Sequence, residues 1–179
     1  MSGIGHLAAG LAAKPLAPKV PLVVLLAASE TTDLLYFVFT TLGVERPART
    51  TFDWQQGMRY LEPVVNPWSH GLLMSVVWSL LAAGLAYLVY RDRRSAGVIG
   101  AVVFSHWLLD LLMHANLPLF FEGSALLGLG LERSGLGMVV MTALDLVLLA
   151  AGLIVYWRWR RRGKAAGGAL ALGSGRSSL

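Results

Sequence analysis

The chain has 179 residues, of which 56% are hydrophobic and 14% charged, and it carries no cysteine. That balance is too apolar for a soluble domain of this size, and the missing cysteines exclude disulfides, thiolate nucleophiles and sulfur-rich metal sites together. The net charge of +5 is gathered in short basic clusters beside apolar runs, which fits contact with anionic lipid headgroups. With no recognition motif or aromatic-basic platform, nucleic acid is excluded as a partner.

The first apolar run, Gly3 to Ala13, is shorter than the ~20 residues needed to cross a bilayer. Lys14 and Lys19 follow it rather than precede it. It therefore reads as a retained half-helix or re-entrant element, not as a signal peptide. Four longer runs come next: Val20 to Leu42, His70 to Tyr90, Ser95 to about Met113, and Gly137 to Trp157. The expectation is an all-α integral membrane bundle of about four transmembrane helices plus the N-terminal half-helix, one domain over residues 1–164. The tail, 165–179, is rich in glycine and small residues and is expected to be disordered.

If the four spans alternate, Lys14 and Lys19, the turn Arg91 to Arg94, and Arg158 to Lys164 fall on one side. The positive-inside rule makes that side cytoplasmic, which places the protein in the inner membrane with its C-terminus in the cytoplasm. The opposite connections agree, because Gly43 to Ser69 holds three acidic and three basic residues and Ala115 to Leu136 holds Glu122, Glu132 and Arg133. Trp54, Tyr60, Trp68, Trp157 and Trp159 lie near the expected membrane edges, where aromatic belts are the ordinary explanation.

Ionisable residues interrupt this apolar pattern. All four histidines lie in or at the edge of apolar segments, and Glu30, Asp33, Asp110 and Asp145 join them. A charged or titratable group at such a depth needs a partner, water or a metal. For Asp145 alone, interhelical hydrogen bonding is the simpler reading. His106 and Asp110 are one turn apart on a helix, about 6 Å along its axis, close enough to share an ion. His106 and His114 are about 12 Å apart in rise, so binding by all three requires two ions, or His114 acts from behind a ligand.

Taking ~1.5 Å of rise per residue from the basic clusters, Asp33, His106 and Asp110 come to similar levels, about 18–24 Å up. His70 falls higher, at the outer interface, and His6 lower. A cluster in the outer half of the bundle is expected. Weaker motifs fail on geometry. Ser69-His70 and Ser105-His106 are adjacent helical residues pointing about 100° apart, with no strand-turn-helix elbow. Gly128-Leu129-Gly130 lacks the strand-helix context of a phosphate loop.

Gly5-His6, Asp33, PWSHGLL around His70 and the block SHWLLDLLMHANLPLF from Ser105 to Phe120 are similar in order and spacing to the YdjM-like family of inner-membrane, metal-dependent hydrolases. The resemblance runs from about residue 4 to 133. It implies that His6, Asp33, His70, His106 and Asp110 are metal ligands, and it implies a distant kinship to zinc-dependent phospholipases C and P1-type nucleases. The chain departs from the family at Glu30 to Leu35, where a second aspartate is missing and Glu30 stands one turn earlier. It departs again before Ser69-His70, where members often carry another histidine. A full three-metal site is not expected.

The sequence thus points to a membrane-bound metal-dependent hydrolase acting on a lipid or lipid-linked phosphoester. Candidate metal ligands are His6, Asp33, His70, His106, Asp110 and His114, and candidate proton acceptors are Glu30 and Asp33. Zinc is the first choice, with manganese or iron next. The competing readings are an ion- or proton-conducting protein and a scaffold whose His/Asp groups only bind helices together.

Overall fold

Two half-helices form the first corner of the molecule. In the computed structural model, which describes residues 4–47, 50–53, 58–61, 65–121 and 123–174, helix α1 spans Leu7–Ala13 and α2 spans Leu22–Ser29. Pro15, Pro18 and Pro21 lie between them, and proline, lacking an amide hydrogen, cannot carry a helix through. Lys14 ties the turn by donating from Nζ to the carbonyls of Pro18 and Val20, at 3.0 and 2.5 Å.

Helix α3, Thr31–Thr41, follows α2 after a break at Glu30, and the two axes are bent by 57°. The straight span expected from Val20 to Leu42 is therefore a broken one. The cause lies in the polar residues at the break. The Ser29 and Thr31 hydroxyls donate back to the carbonyls of Leu26 and Ala27, at 2.7 and 3.1 Å, a pattern that bends helices. The Ser29 carbonyl bonds to a histidine instead of continuing the helical ladder.

The connection after α3 holds an antiparallel hairpin of β1, Thr50–Asp53, and β2, Met58–Leu61, with Thr50 opposite Leu61. Short helix α4, Pro67–His70, leads to α5, Leu72–Tyr90. Between them Gly71 is extended, with φ −69° and ψ 144°, and a Cβ there would collide with the Pro67 carbonyl. The span expected to open with His70 thus begins at Leu72, and His70 stands on a separate helical turn.

An antiparallel hairpin joins α5 to α6, Arg93–Met113. Arg91 closes α5 in the left-handed region, φ 51°, and Asp92 caps α6 by accepting from the Ser95 amide at 3.1 Å and from its hydroxyl. Strands β3, Leu117–Pro118, and β4, Leu126–Leu127, pair beyond α6, and a 3-10 turn at Leu131–Arg133 precedes α7, Gly135–Ser174. The last ten residues of α7 belong to the expected tail, and 175–179 lie outside the described residues. So do Trp54, Glu122 and the Tyr60 side chain.

Among the described residues three helices are long and apolar enough to cross a membrane, and the bent pair α2–α3 makes a fourth if counted as one span. Half of the α6 span is buried, against 17% of α5 and of α7, so α6 is the central helix. Large apolar side chains point outward from its neighbours, Leu80, Leu81, Leu85 and Leu88 on α5 and Val139, Leu146 and Val147 on α7. A lipid-facing surface has this character. The core beneath the site is apolar, built from Ala13, Ala17, Val20, Leu25, Val102 and Val103.

Helix α1 is held by close backbone contact on two sides. A Cβ on Gly10 would lie 2.7 Å from the Leu25 carbonyl of α2, and one on Gly152 of α7 would lie 2.8 Å from the Ala8 carbonyl. Glycine at these crossings lets helices approach where hydrophobic burial alone gives no drive to associate. At the foot of α1, Lys14 Nζ sits 5.3 Å from the ring of Trp159, and Arg161 lies over Trp157 at 3.8 Å. One end of the bundle therefore gathers the basic residues.

Candidate metal centre

Five residues from four separate segments meet above that core. His6 comes from the turn opening α1, Asp33 from the start of α3, His70 from the end of α4, and His106 and Asp110 from successive turns of α6. Each is delivered by an interruption or a helical spacing already described: the break at Glu30 turns Asp33 inward, and extended Gly71 frees His70 from the end of α5.

Asp110 is the hub. Its Oδ1 lies 3.3 Å from His6 Nε2, and its Oδ2 lies 3.6 Å from His70 Nε2 and 3.3 Å from His106 Nε2. Asp33 faces the same rings, with Oδ1 at 3.4 Å from His70 Nε2 and 3.5 Å from His106 Nε2 and Oδ2 at 3.9 Å from His6 Nδ1. The rings of His6 and His106 lie close and tilted, centroids 3.7 Å apart with planes at 38°. His6 is thus level with His106, not below it, and His70 belongs to the cluster, not to the outer interface. Straight continuous helices, the premise of both expectations, do not occur at either place.

Two histidine rings are fixed from behind. His106 Nδ1 bonds to the Ser29 carbonyl at 2.8 Å. A carbonyl only accepts, so Nδ1 carries a proton, and Nε2 is the nitrogen that faces Asp33 and Asp110. His70 Nδ1 lies 2.7 Å from Ser69 Oγ, which itself donates to Glu45 Oε2 at 2.6 Å. That hydroxyl donates to Glu45 and accepts from His70 Nδ1, so Nε2 of His70 is likewise the nitrogen that faces the carboxylates. An imidazole lone pair aimed at a carboxylate is repulsive unless a cation stands between them or the ring is protonated.

The spacing is one that atoms arranged about an ion would have. N–H···O bonds fall at about 2.7–3.2 Å, and the closest contacts here are 3.3–3.6 Å. An ion bound tetrahedrally at ~2.0–2.1 Å holds its ligand atoms roughly 3.3 Å from one another. Ligand atoms within 4.8 Å of one another occur in two groups, His6–Asp33–His106 and His70–His106–Asp110. They share His106, whose Nδ1 is already engaged, so both describe one site. Buried nitrogens with no hydrogen bond, His6 Nδ1 and Nε2 and His106 Nε2, fit the same donor set: three imidazoles and two carboxylates, suited to a borderline divalent cation.

The cluster is sealed on one side and open on the other. His6, His106 and Asp110 are at most 2% exposed, whereas the Asp33 side chain is 42% exposed. Beside the cluster, Tyr36 meets His70 edge-on with centroids 5.7 Å apart, and Trp68, two residues before His70, packs on Phe121 at 5.0 Å. Glu30, at the helix break, keeps one carboxyl oxygen, Oε1, buried without a hydrogen bond. It lies within electrostatic range of His106, Asp33 and Asp110.

The remaining candidate, His114, stands one step away. Its Nδ1 bonds to Glu132 Oε2 at 2.7 Å and its Nε2 points at Asp110 Oδ1 from 3.8 Å, outside both ligand groups. Asp145 is buried on α7 and is not among the residues gathered. Glu45, Ser69 and the Ser29 carbonyl escaped the sequence reading. A lone glutamate in a mixed-charge loop and a backbone oxygen carry no sequence signal, and Ser69 was weighed only as a nucleophile. No family model, no curated protein and no solved structure matches this chain. What fold and site define is a class: an all-α, membrane-spanning bundle with a buried His/Asp cluster able to hold a metal ion.

Proposed function

We propose that this protein is a membrane-bound metal-dependent hydrolase whose substrate is a lipid or lipid-linked phosphoester. The observation that carries the reading is the set of 3.3–3.6 Å separations among nitrogen and carboxylate atoms, with Nε2 of both His70 and His106 turned inward. His6, Asp33, His70, His106 and Asp110 would hold one divalent ion, zinc first, then manganese or iron. Such an ion, when bound, acidifies water and polarises a phosphoryl or acyl oxygen.

The protein's own groups supply the rest. Asp33, directed at three histidines, serves as a ligand, which leaves Glu30 as the carboxylate free to take a proton from the attacking water. The buried wall of His6, His106 and Asp110 excludes bulk water from one side. Access is from the Asp33 side, past Tyr36, Trp68 and Phe121, a rim that suits an amphiphile arriving from the bilayer. The apolar core below the cluster argues against an ion path through the bundle. By the positive-inside rule the end carrying Lys14 and Arg161 is cytoplasmic, and the cluster lies toward the opposite face of the inner membrane.

The test is hydrolysis of a panel of phospholipids and polyprenyl phosphoesters in detergent, with zinc or manganese supplied, read as inorganic phosphate from monoesters and as the separated alcohol and phosphomonoester from diesters. Turnover of one class, reduced at least 100-fold in Glu30→Gln with metal still bound, is the expected result. A blank panel with stoichiometric metal would sink the hydrolase reading and leave a metal-binding membrane protein.

A further inference from the structure

Glu45 is a carboxylate with an unusual position. It lies in the outer loop after α3, distant in sequence from every other site residue, yet it is only 6% exposed. Oε1 accepts from the amides of Trp68 and Ser69, at 2.8 and 3.0 Å, and Oε2 accepts from the Ser69 hydroxyl at 2.6 Å. Three donors converge on two oxygens of one side chain. Nothing in lipid packing requires that, and burying a carboxyl group is costly unless such bonds repay it.

We propose that Glu45, acting through Ser69, is a positioning residue that holds the His70 proton on Nδ1 and so leaves Nε2 to face the metal centre. The polarity of the chain runs one way. Two backbone N–H groups can only donate, so the atom they meet must be an acceptor; the remaining oxygen then accepts from Ser69 Oγ, and Ser69 Oγ accepts from His70 Nδ1–H. The Nε2 lone pair is thereby turned to the Asp33 and Asp110 carboxylates. A carboxylate placed behind a metal-binding histidine orients the ring and raises its basicity. Here a hydroxyl is interposed between the two.

The inference rests on the reading of His70 as a ligand, but its first consequence does not need metal. In Glu45→Gln, which is nearly isosteric, the amide oxygen must stay on the two backbone donors, and the NH2 group must then donate to Ser69 Oγ. The Ser69 proton is released to His70 Nδ1, and the chain reverses. His70 would carry its proton on Nε2 and oppose a cation.

The experiment uses the full chain in detergent micelles with 15N-labelled histidine, the His70 resonances being assigned by their loss in His70→Gln. Wild type should show a protonated Nδ1, and Glu45→Gln an unprotonated one. Zinc affinity, measured by competition with a chromophoric chelator, should fall about 10–100-fold in the variant. An unchanged Nδ1 in folded Glu45→Gln would overturn the proposal whether or not zinc binds. The predicted reversal in a protein that never binds zinc would uphold the positioning role and reject the metal reading. If Glu45→Gln does not fold, Ser69→Ala and Ser69→Thr decide: loss of the wild-type Nδ1 signature in the first and its retention in the second support the chain. Retention in both contradicts it.

Discussion

Asp110 faces the ring nitrogens of all four histidines, His114 included, from 3.3 to 3.8 Å, so the charge of one carboxylate organises the whole cluster. Asp92 shows the same economy outside the membrane. The Ser95 hydroxyl and amide, with Lys19 nearby, hold its carboxyl below the usual carboxylate range. A depressed folded value means that the capping contribution is complete above the unfolded value of about 4 and is lost as pH falls through the folded one. Asp92→Ala should lower the thermal midpoint in detergent at neutral pH, and the gap from wild type should close in acid. A gap that persists at low pH would show that the cap is not the cause. The clustered histidines and aspartates were legible in the sequence because ionisable residues inside apolar runs are conspicuous. Glu45 and Glu132 were not, since an acidic residue in a polar loop looks the same whether it is solvated or reaches back to a histidine.

Helix interruptions bring the cluster residues together, and they are the part of the fold that hydropathy could not show. A run such as Val20 to Leu42 is apolar enough to read as one span, and the 57° bend at Glu30 depends on where the Ser29 carbonyl and the Ser29 and Thr31 hydroxyls find partners. The separation of His70 from α5 depends likewise on one extended glycine. Span α6 matched its expected limits closely because it is continuous. Helix α1 offers the clearest test at this scale. In Gly152→Val the new side chain meets the Ala8 backbone, which cannot rotate away. Overpacking of this kind costs about 1–3 kcal/mol, and the displaced α1 should carry His6 out of the site. Weakened zinc binding together with a lower thermal midpoint is expected. Undiminished zinc affinity in the destabilised variant would show that His6 is not a ligand.

Across the whole molecule, the basic foot and the ionisable cluster occupy different levels of the bundle, separated by the apolar core around Leu25 and Val103. Composition and span counting were enough to establish an all-α membrane bundle, because the bilayer permits few alternatives to helices. The absence of cysteine makes the orientation directly testable. In intact cells a membrane-impermeant maleimide should label Ser124→Cys, and should reach Arg94→Cys only after permeabilisation. The reverse pattern would invert the topology and put the site toward the cytoplasm.

Every catalytic statement passes through a bound ion, so the most direct test is elemental analysis of detergent-purified protein, wild type beside Asp110→Asn. The account predicts close to one equivalent of zinc, manganese or iron in wild type, lost in the variant while its helical content and monodispersity persist. A folded wild type that stays free of metal after incubation with these ions would contradict it, and would leave the histidines and aspartates as internal ion pairs that hold the helices together.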